Sequence, residues 1–289
     1  MNKQLKILII FIYMLVSNIG ILYACNESKD AERITVAGGS VTEILYFLGS
    51  EDQIIAVDVT SNFPREAQDF PSIGYVRNLS AEGILSLKPS IIIGEDDMGP
   101  PSVIDQIKRT GIDIYIINES HTSDGIVDKI KCIGNILGKT EKTSQLIENI
   151  ISPIKNELDI KSNNPILDKV KVMFILSMDS GTPVVSGKET SADGFINMTG
   201  ARNAFSDFEG WKPVGTESII NAAPDFILIS NRGAHSYSDL SKISEHPALK
   251  YTPAALNGNI IALDGMEMLG FGPRTISSAL KLSDIFIGN

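Results

Sequence analysis

The sequence predicts an α/β protein: two Rossmann-like α/β lobes with parallel sheets, joined by one long helix, with a ligand cleft between the lobes. Three observations predict it. Strand-like and helix-like runs alternate from Arg33 to about Leu137, which is the pattern of a parallel sheet covered by helices. A longer helical stretch follows, about Thr140 to Ile160, and would span roughly 30 Å. Strand and helix then alternate again to the end of the chain. The boundaries expected are a leader over 1–24, a tether over 25–32, one lobe over 33–139, the linking helix over 140–163 and the second lobe over 164–289.

Each element has its own signal. "RITVAGG" reads as a strand ending in glycines, and "SVTEILYFLGS" as a short helix with Gly49 after its last turn. "QIIAVDVTS" is the next strand. In "LSAEGILSLKPSIII", Ser80 suits an N-cap, Ile84, Leu85 and Leu87 form an apolar face, and Pro89 stops the helix before a strand at Ile91–Ile93. "PPSVIDQIKRTG" is a helix opened by prolines, "IDIYIIN" a strand, and "SDGIVDKIKCIGNILG" a helix with Ile126, Ile130, Ile133 and Leu137 on one side. Pro153 lies inside the linking stretch and is expected to kink it. Beyond the loop "KSNNPILD", the runs "KVKVMFILS", "DGFINMTGA", "TESIINAA", "DFILIS", "SDLSKISEHPALK", "NIIALD" and "RTISSALKLSDIFI" continue the alternation.

The two halves echo one another. Setting Ser80–Ile93 against Gly215–Leu228 places Glu82 on Glu217, Ile84 on Ile219, Leu85 on Ile220, Pro89 on Pro224 and Ile92 on Ile227. Any helix feeding a buried strand repeats its apolar positions. A repeated carboxylate is not required by a core, although a first-turn Glu suits a helix N-terminus.

Composition bounds the function. With 289 residues and 43% hydrophobic content the chain can build a real core, and a net charge of −10 argues against a nucleic-acid partner. The first 24 residues carry Lys3 and Lys6, then the apolar run "ILIIFIYMLV", then "LYAC" ending at Cys25. This is a secretion signal, and its end resembles a lipobox in which Cys25 would take the lipid. An uncleaved membrane anchor is the competing reading, because the apolar run is nearly long enough to span. With Cys25 lipidated, Cys132 reads as a lone buried thiol, and the exported chain is expected to lack a disulfide.

Candidate chemistry is sparse. His121, His235 and His246 have no ligand spacing among themselves, and no nucleophile elbow or nucleotide-binding loop is present. "AGGS" at Ala37–Ser40 joins strand to helix, so anion binding at Ser40 is conceivable, as is a plain tight turn. Glu95, Asp96 and Asp97 follow a strand, either as a solvated loop end or as a metal or acid/base group. Tyr75 and Arg77 stand two apart just after Gly74, which in an extended segment puts them on one face. A Tyr there is ordinarily a packing residue. A cation beside a phenol favours phenolate; phenolate is a hard donor for ferric iron and a known haem ligand. Physics permits such a site without demanding it.

The blocks "AGGSVTEILYFLG", "IGYVRNLSAEGILSLKPS", "DMGPP", "SGKETSADGFINMTGARNAF", "HPALKYTPA" and "LGFGPR" resemble, in order, the hemin-binding component of bacterial haem ABC importers. The resemblance implies a non-enzymatic, monomeric lipoprotein that binds ferric haem b as cargo and hands it to a permease with its ATPase. It implies Tyr75 as the haem-iron ligand, Arg77 as support for the tyrosinate or a propionate, and Glu82 and Glu217 as acids that dock on permease arginines. Arg274 in "LGFGPR" is a motif residue that orders the cleft edge or meets a propionate. Some relatives carry a second-lobe His after the strand matching "VMFILS"; here Met178 and Asp179 stand there, which implies one haem and leaves Met178 as a weak thioether donor or a core filler. The competing readings are a siderophore or cobalamin binder, a metal-dependent hydrolase using Glu95, Asp96 and Asp97, and an adhesive surface lipoprotein without ligand.

Overall fold

The computed structural model describes residues 25–178, 181–230 and 243–288. The leader over 1–24, Asp179 and the segment 231–242 with His235 lie outside the described residues.

The first lobe is built on a four-stranded parallel sheet in the order β2-β1-β3-β4. Its strands are β1 (Ile34–Ala37), β2 (Ile54–Val57), β3 (Ile91–Glu95) and β4 (Asp113–Ile117). Nearly every residue of β1 and β3 is buried, as a sheet covered on both faces requires. The helices between them begin and end where the sequence places them. Ser80 Oγ accepts from the Gly83 N–H to cap α2 (Ala81–Ser86), Pro101 opens α3 (Pro101–Lys108), and Gly49 (φ +60°) follows α1 (Gly39–Phe47). Thr122 caps α4 (Ser123–Ile136).

The linking element runs from Thr140 to Ser162. It is α5 (Thr140–Leu146), one π turn (Ile147–Ile151) and α6 (Ser152–Ser162). Pro153 does not break it. The π turn lies immediately before it, with the Ser152 N–H donating to the Ile147 carbonyl five residues back, so the wider turn absorbs the proline ring and its missing donor.

The second lobe departs from a purely parallel sheet. β10 (Ile260–Leu263), β9 (Phe226–Ser230) and β5 (Lys171–Ser177) are parallel, but β6 (Val184–Ser186) and β8 (Trp211–Pro213) join antiparallel in the order β10-β9-β5-β6-β8. The two-residue β7 (Arg202–Asn203) pairs with the start of β5 on the edge that β6 takes further along. These short strands escaped the sequence reading because two or three residues carry no period. The sheet is flanked by α7 (Ser191–Met198), α8 (Thr216–Ala222) and α9 (Pro253–Leu256), and the chain ends in α10 (Gly265–Leu269) and α11 (Pro273–Ile287).

One apolar core joins the lobes. Ile34, Val36, Ile44 and Ile133 of the first lobe, Leu158 of the linking helix, and Phe174, Phe195 and Phe286 of the second belong to a single buried cluster. Smaller clusters lie behind each sheet. The lobes are therefore packed onto one another at their base, with the cleft opening above it.

Two expectations about cysteine are corrected. Cys25 and Cys132 form a disulfide, with Cα atoms 5.0 Å apart across 107 positions. Cys132 is only partly buried, at the rim of α4 rather than in the core. The Ser28 N–H donates to the Ile136 carbonyl, which lays the start of the chain along this helix and brings Cys25 to Cys132. The segment expected to be a tether lies along α4. The Cys25 sulfur is also the atom a lipid would need, so disulfide and lipid exclude one another.

Candidate functional site

The strands of the first sheet end at one edge, and the residues after them form one wall of the cleft. Glu95 ends β3 and Asp96 and Asp97 follow it, and Glu119 and His121 follow β4. Across from them stand Glu189, Thr190 and Ser191 at the start of α7, Trp211 of β8, and Leu269. Together with Arg77 they enclose a cavity of about 380 Å³, within the size range of small-ligand sites.

Tyr75 and Arg77 stand on a turn at the lip. The segment after Pro71 runs beside the end of β2, with Ile73 N–H donating to Val57 O and Val59 N–H to Gly74 O. Gly74 then takes φ +88°; nothing crowds its α-carbon, so the need for glycine is conformational. The Asn78 N–H donates to the Tyr75 carbonyl at 2.8 Å and closes a turn. The extended geometry expected for the pair is thus corrected: Tyr75 and Arg77 do not project by strand alternation. Burial sorts them instead. Val76 and Leu79 are buried and anchor the turn, while Tyr75 is 45% exposed. The turn is stitched to the acidic loop after β3, since Gly99 N–H donates to Val76 O and Leu79 N–H to Gly99 O. Arg77 Nε donates to Asp97 Oδ2 at 2.7 Å. That contact raises the Arg77 pKa, with smaller help from Tyr75 and Glu95 against the loss of solvent.

The floor is charged and part-buried. Glu95 Oε1 accepts from the Ser40 N–H at 3.2 Å and from Ser40 Oγ at 2.5 Å. Ser40 is therefore no site for an outside anion. The N-terminus of α1 is filled by the chain's own carboxylate, and a Cβ on Gly38 would lie 2.5 Å from the Glu95 carboxyl carbon. Lys129, its side chain 1% exposed, donates to Ser40 Oγ, to Glu119 and to the Gly270 carbonyl of the second lobe. Loss of solvent lifts Glu95 to about 7, only partly opposed by Lys129, and lifts Glu119 in the same sense. The reading of Glu95 as a solvated loop end fails. The signal available was Lys129, a lysine on the apolar side of a helical repeat.

His121 is a cleft residue the spacing argument passed over. Its ring packs on Phe271 with centroids 4.8 Å apart. Burial and the Lys129 charge hold its pKa below the ordinary value, against Asp96 and Asp193, which favours the neutral ring. Phe271 is buried at φ +49°, a backbone state that costs a non-glycine residue roughly 1 kcal/mol or more.

Two expected ligand contacts are displaced. Arg274 is committed to the seam between the lobes: its backbone N–H and Nε bind the two oxygens of Glu43 at 2.8 and 2.9 Å, and its guanidinium lies 3.5 Å over the Phe63 ring. Glu267 and Asp264 lie just beyond hydrogen-bond reach. Met178 is 2% exposed in the apolar core of the second lobe, so it is the core filler and not a donor to the cleft. Glu82 and Glu217 both stand exposed in the first turn of a helix that feeds a parallel strand, α2 into β3 and α8 into β9, as the echo required.

Two α/β lobes packed at their base with a polar cleft above define a class of protein, the two-lobed solute binder. The chain belongs to the periplasmic binding protein family, whose model matches residues 34–266, and it is the substrate-binding component of an ABC importer. Its fold matches the periplasmic heme-binding protein BhuT in complex with two hemes (TM-score 0.82, 30% identity, 88% of this chain and 97% of that one). It also matches the periplasmic heme-binding protein HutB of Vibrio cholerae (0.78, 34%, 89% and 99%). In sequence it is 27% identical to YvrC, an uncharacterised ABC transporter substrate-binding lipoprotein of Bacillus subtilis, over 89% of this chain and 80% of that protein. It is 23% identical to a vitamin B12-binding protein of Vibrio parahaemolyticus over 90% of each.

Proposed function

We propose that the chain captures ferric haem b in the cleft, with Tyr75 as the iron ligand, and delivers it to an ABC importer permease. The observation that carries this reading is the lip turn: an exposed phenol beside a guanidinium, on a segment held by two buried anchors and two cross-loop hydrogen bonds. A half-exposed Tyr can present its hydroxyl to iron, and a phenolate oxygen suits ferric iron. Arg77, paired with Asp97 through a single contact, can take a carboxylate of the ligand in its place. The heme-binding names of the solved structures support the same cargo. Glu82 and Glu217 are the docking acids, one per lobe. Cys25 is the lipid anchor in an exported form whose Cys132 is unpaired, the alternative state to the disulfide.

Cobalamin is the second reading. The cavity wall carries Glu95, Asp96, Asp97, Glu119 and Glu189 beside one arginine, which suits a ligand without carboxylates better than a dicarboxylate. Vitamin B12-binding relatives support it too. A siderophore has no specific observation in its favour. The hydrolase reading has less support, because the family match is to a periplasmic binding protein and Glu95 is turned onto Ser40.

Titration with hemin and with cyanocobalamin separates the readings. Wild type should give a ferric tyrosinate charge-transfer band with hemin. Tyr75→Ala should lose that band and bind hemin at least about tenfold more weakly, 1.4 kcal/mol. Saturable cobalamin binding, with hemin binding indifferent to Tyr75, would replace haem by cobalamin.

A further inference from the structure

We propose that Asp97 is a specificity-determining residue of the cleft: its carboxylate holds the Arg77 guanidinium until a carboxylate of the ligand displaces it, so an anionic ligand enters by exchanging one ion pair for another. This rests on the reading of the cleft as a haem site.

The pair is built for exchange. It is made through a single contact, Arg77 Nε to Asp97 Oδ2 at 2.7 Å. Elsewhere in the chain Arg202 grips Asp168 with two parallel bonds, at 2.9 and 2.7 Å, which is the stronger fork geometry. The Arg77 side chain is 63% exposed and that of Asp97 34%, so water can take up either partner as the other leaves. Both residues ride on turns joined by the Gly99–Val76 and Leu79–Gly99 backbone bonds. The pair can therefore open by side-chain rotation without moving Tyr75.

No other cation lining this cavity among the described residues is available to a carboxylate. Lys129 lies beneath the wall, held by Glu119, Ser40 and Gly270. Arg274 binds Glu43 in the seam through its backbone N–H and Nε and does not line this cavity. The remaining charged groups on the wall are Glu95, Asp96, Glu119 and Glu189, all acids. A propionate thus meets one favourable partner, and Asp97 already occupies it. A ligand with no carboxylate loses nothing by leaving the pair closed. Asp97 so lowers affinity for dianionic porphyrins relative to neutral ligands of the same shape, a repulsive element of the kind that sets specificity.

The test compares wild type, Asp97→Asn and Asp96→Asn, each titrated with hemin and with hemin dimethyl ester, which has no free carboxylate. Asp96 is the control because it has the same charge in the same loop but accepts from the Glu119 N–H rather than from Arg77. Asp97→Asn should bind hemin about two- to fivefold more tightly, the range an exposed ion pair commands. The ester should show no such gain, and Asp96→Asn should give less than half of it. The proposal is overturned if Asp97→Asn binds hemin no more tightly than wild type, if the ester gains equally, or if Asp96→Asn matches it. Wild-type hemin binding without a Tyr75-dependent charge-transfer band would instead remove the haem reading, and this inference with it.

Discussion

Arg77 and Arg274 each hold a carboxylate, one at the lip of the cleft and the other in the seam between the lobes. Their chemistry is the same and their surroundings are not. Arg77 makes one bond to Asp97 and keeps most of its side chain in water. Arg274 makes two contacts to Glu43, across 231 positions of sequence, and its side chain is 23% exposed against 8% for its partner. Burial of Glu43 pushes its pKa up even against the arginine, a sign that lost solvation outweighs the attraction. The lip pair is an exchangeable contact. The seam pair fixes how the lobes sit, and the stack on Phe63 from the other lobe adds a cation–π contact.

The largest expected effect breaks this contrast at the seam. Arg274→Ala leaves Glu43 buried without its cation, and should cost about 3 kcal/mol, the low end for a broken buried pair. Arg77→Ala should cost less than about 1 kcal/mol. Urea denaturation of both variants at pH 8 reads the difference directly. Equal losses would mean that the seam is as wet as the lip. The Arg274→Ala deficit should shrink at pH 5, because Glu43 can then take a proton and shed its unpaired charge.

How much of this was legible beforehand depends on what a sequence encodes locally. Alternation of apolar strands with capped helices placed both lobes and the linking helix, and Ser80, Pro101 and Gly49 fall where helix ends require them. The first-turn places of Glu82 and Glu217 were also legible, since each is set by its own helix start, whereas the lip pair sits on a turn and not on the extended segment expected. The seam was not legible. Nothing near Glu43 in sequence announces Arg274, and the same motif suggested a propionate partner. Cys132 followed the apolar stripe of its helix, yet the stripe does not tell core from rim. Lys129 is the readable clue: a cation on a buried face needs polar partners, and Glu119 after β4, the Ser40 hydroxyl and the Gly270 carbonyl supply them. His121 lacked any spacing partner because its setting is made by Phe271 from the other lobe.

Between seam and lip lies the floor, and its test is pH. Burial lifts the Glu95 carboxyl to about 7, from an ordinary 4.5. A carboxyl whose folded pKa is raised binds a proton more tightly when folded, so its contribution is fully present below about pH 4.5 and is lost as pH rises through about 7. Wild type should therefore lose on the order of 2 kcal/mol between pH 5 and pH 8 from this group. Glu95→Gln keeps an acceptor for Ser40 and removes the titration. It should flatten that part of the profile and be the more stable protein at pH 8. A profile unchanged by Glu95→Gln would move the titration to Glu119, whose pKa is raised as well.

The smallest effect on the folded protein belongs to charges that form no ion pair among the described residues. Glu82 and Glu217 form no ion pair among the described residues, and both face water. Each sits in the first turn of its helix, where the dipole favours an acid by only about 0.3–1 kcal/mol. Neither lines the cavity. Replacing both by Ala should leave stability within roughly 1 kcal/mol and hemin affinity at the wild-type value. Their proposed work begins only at the permease, where an acid on each lobe can meet a pair of arginines set at the spacing of the two lobes. On docking these carboxylates lose water, and removal of one partner of such an interfacial pair typically costs about 2–5 kcal/mol. The double variant should then bind hemin normally, fail to stimulate the importer's ATPase and fail to deliver haem into reconstituted vesicles. Lysine at either position should be worse than alanine, because repulsion is added to the lost contact. Normal uptake by the double variant at limiting protein concentration would remove the docking role. A large loss of hemin affinity would instead place these acids in the cleft, against their exposed positions on α2 and α8.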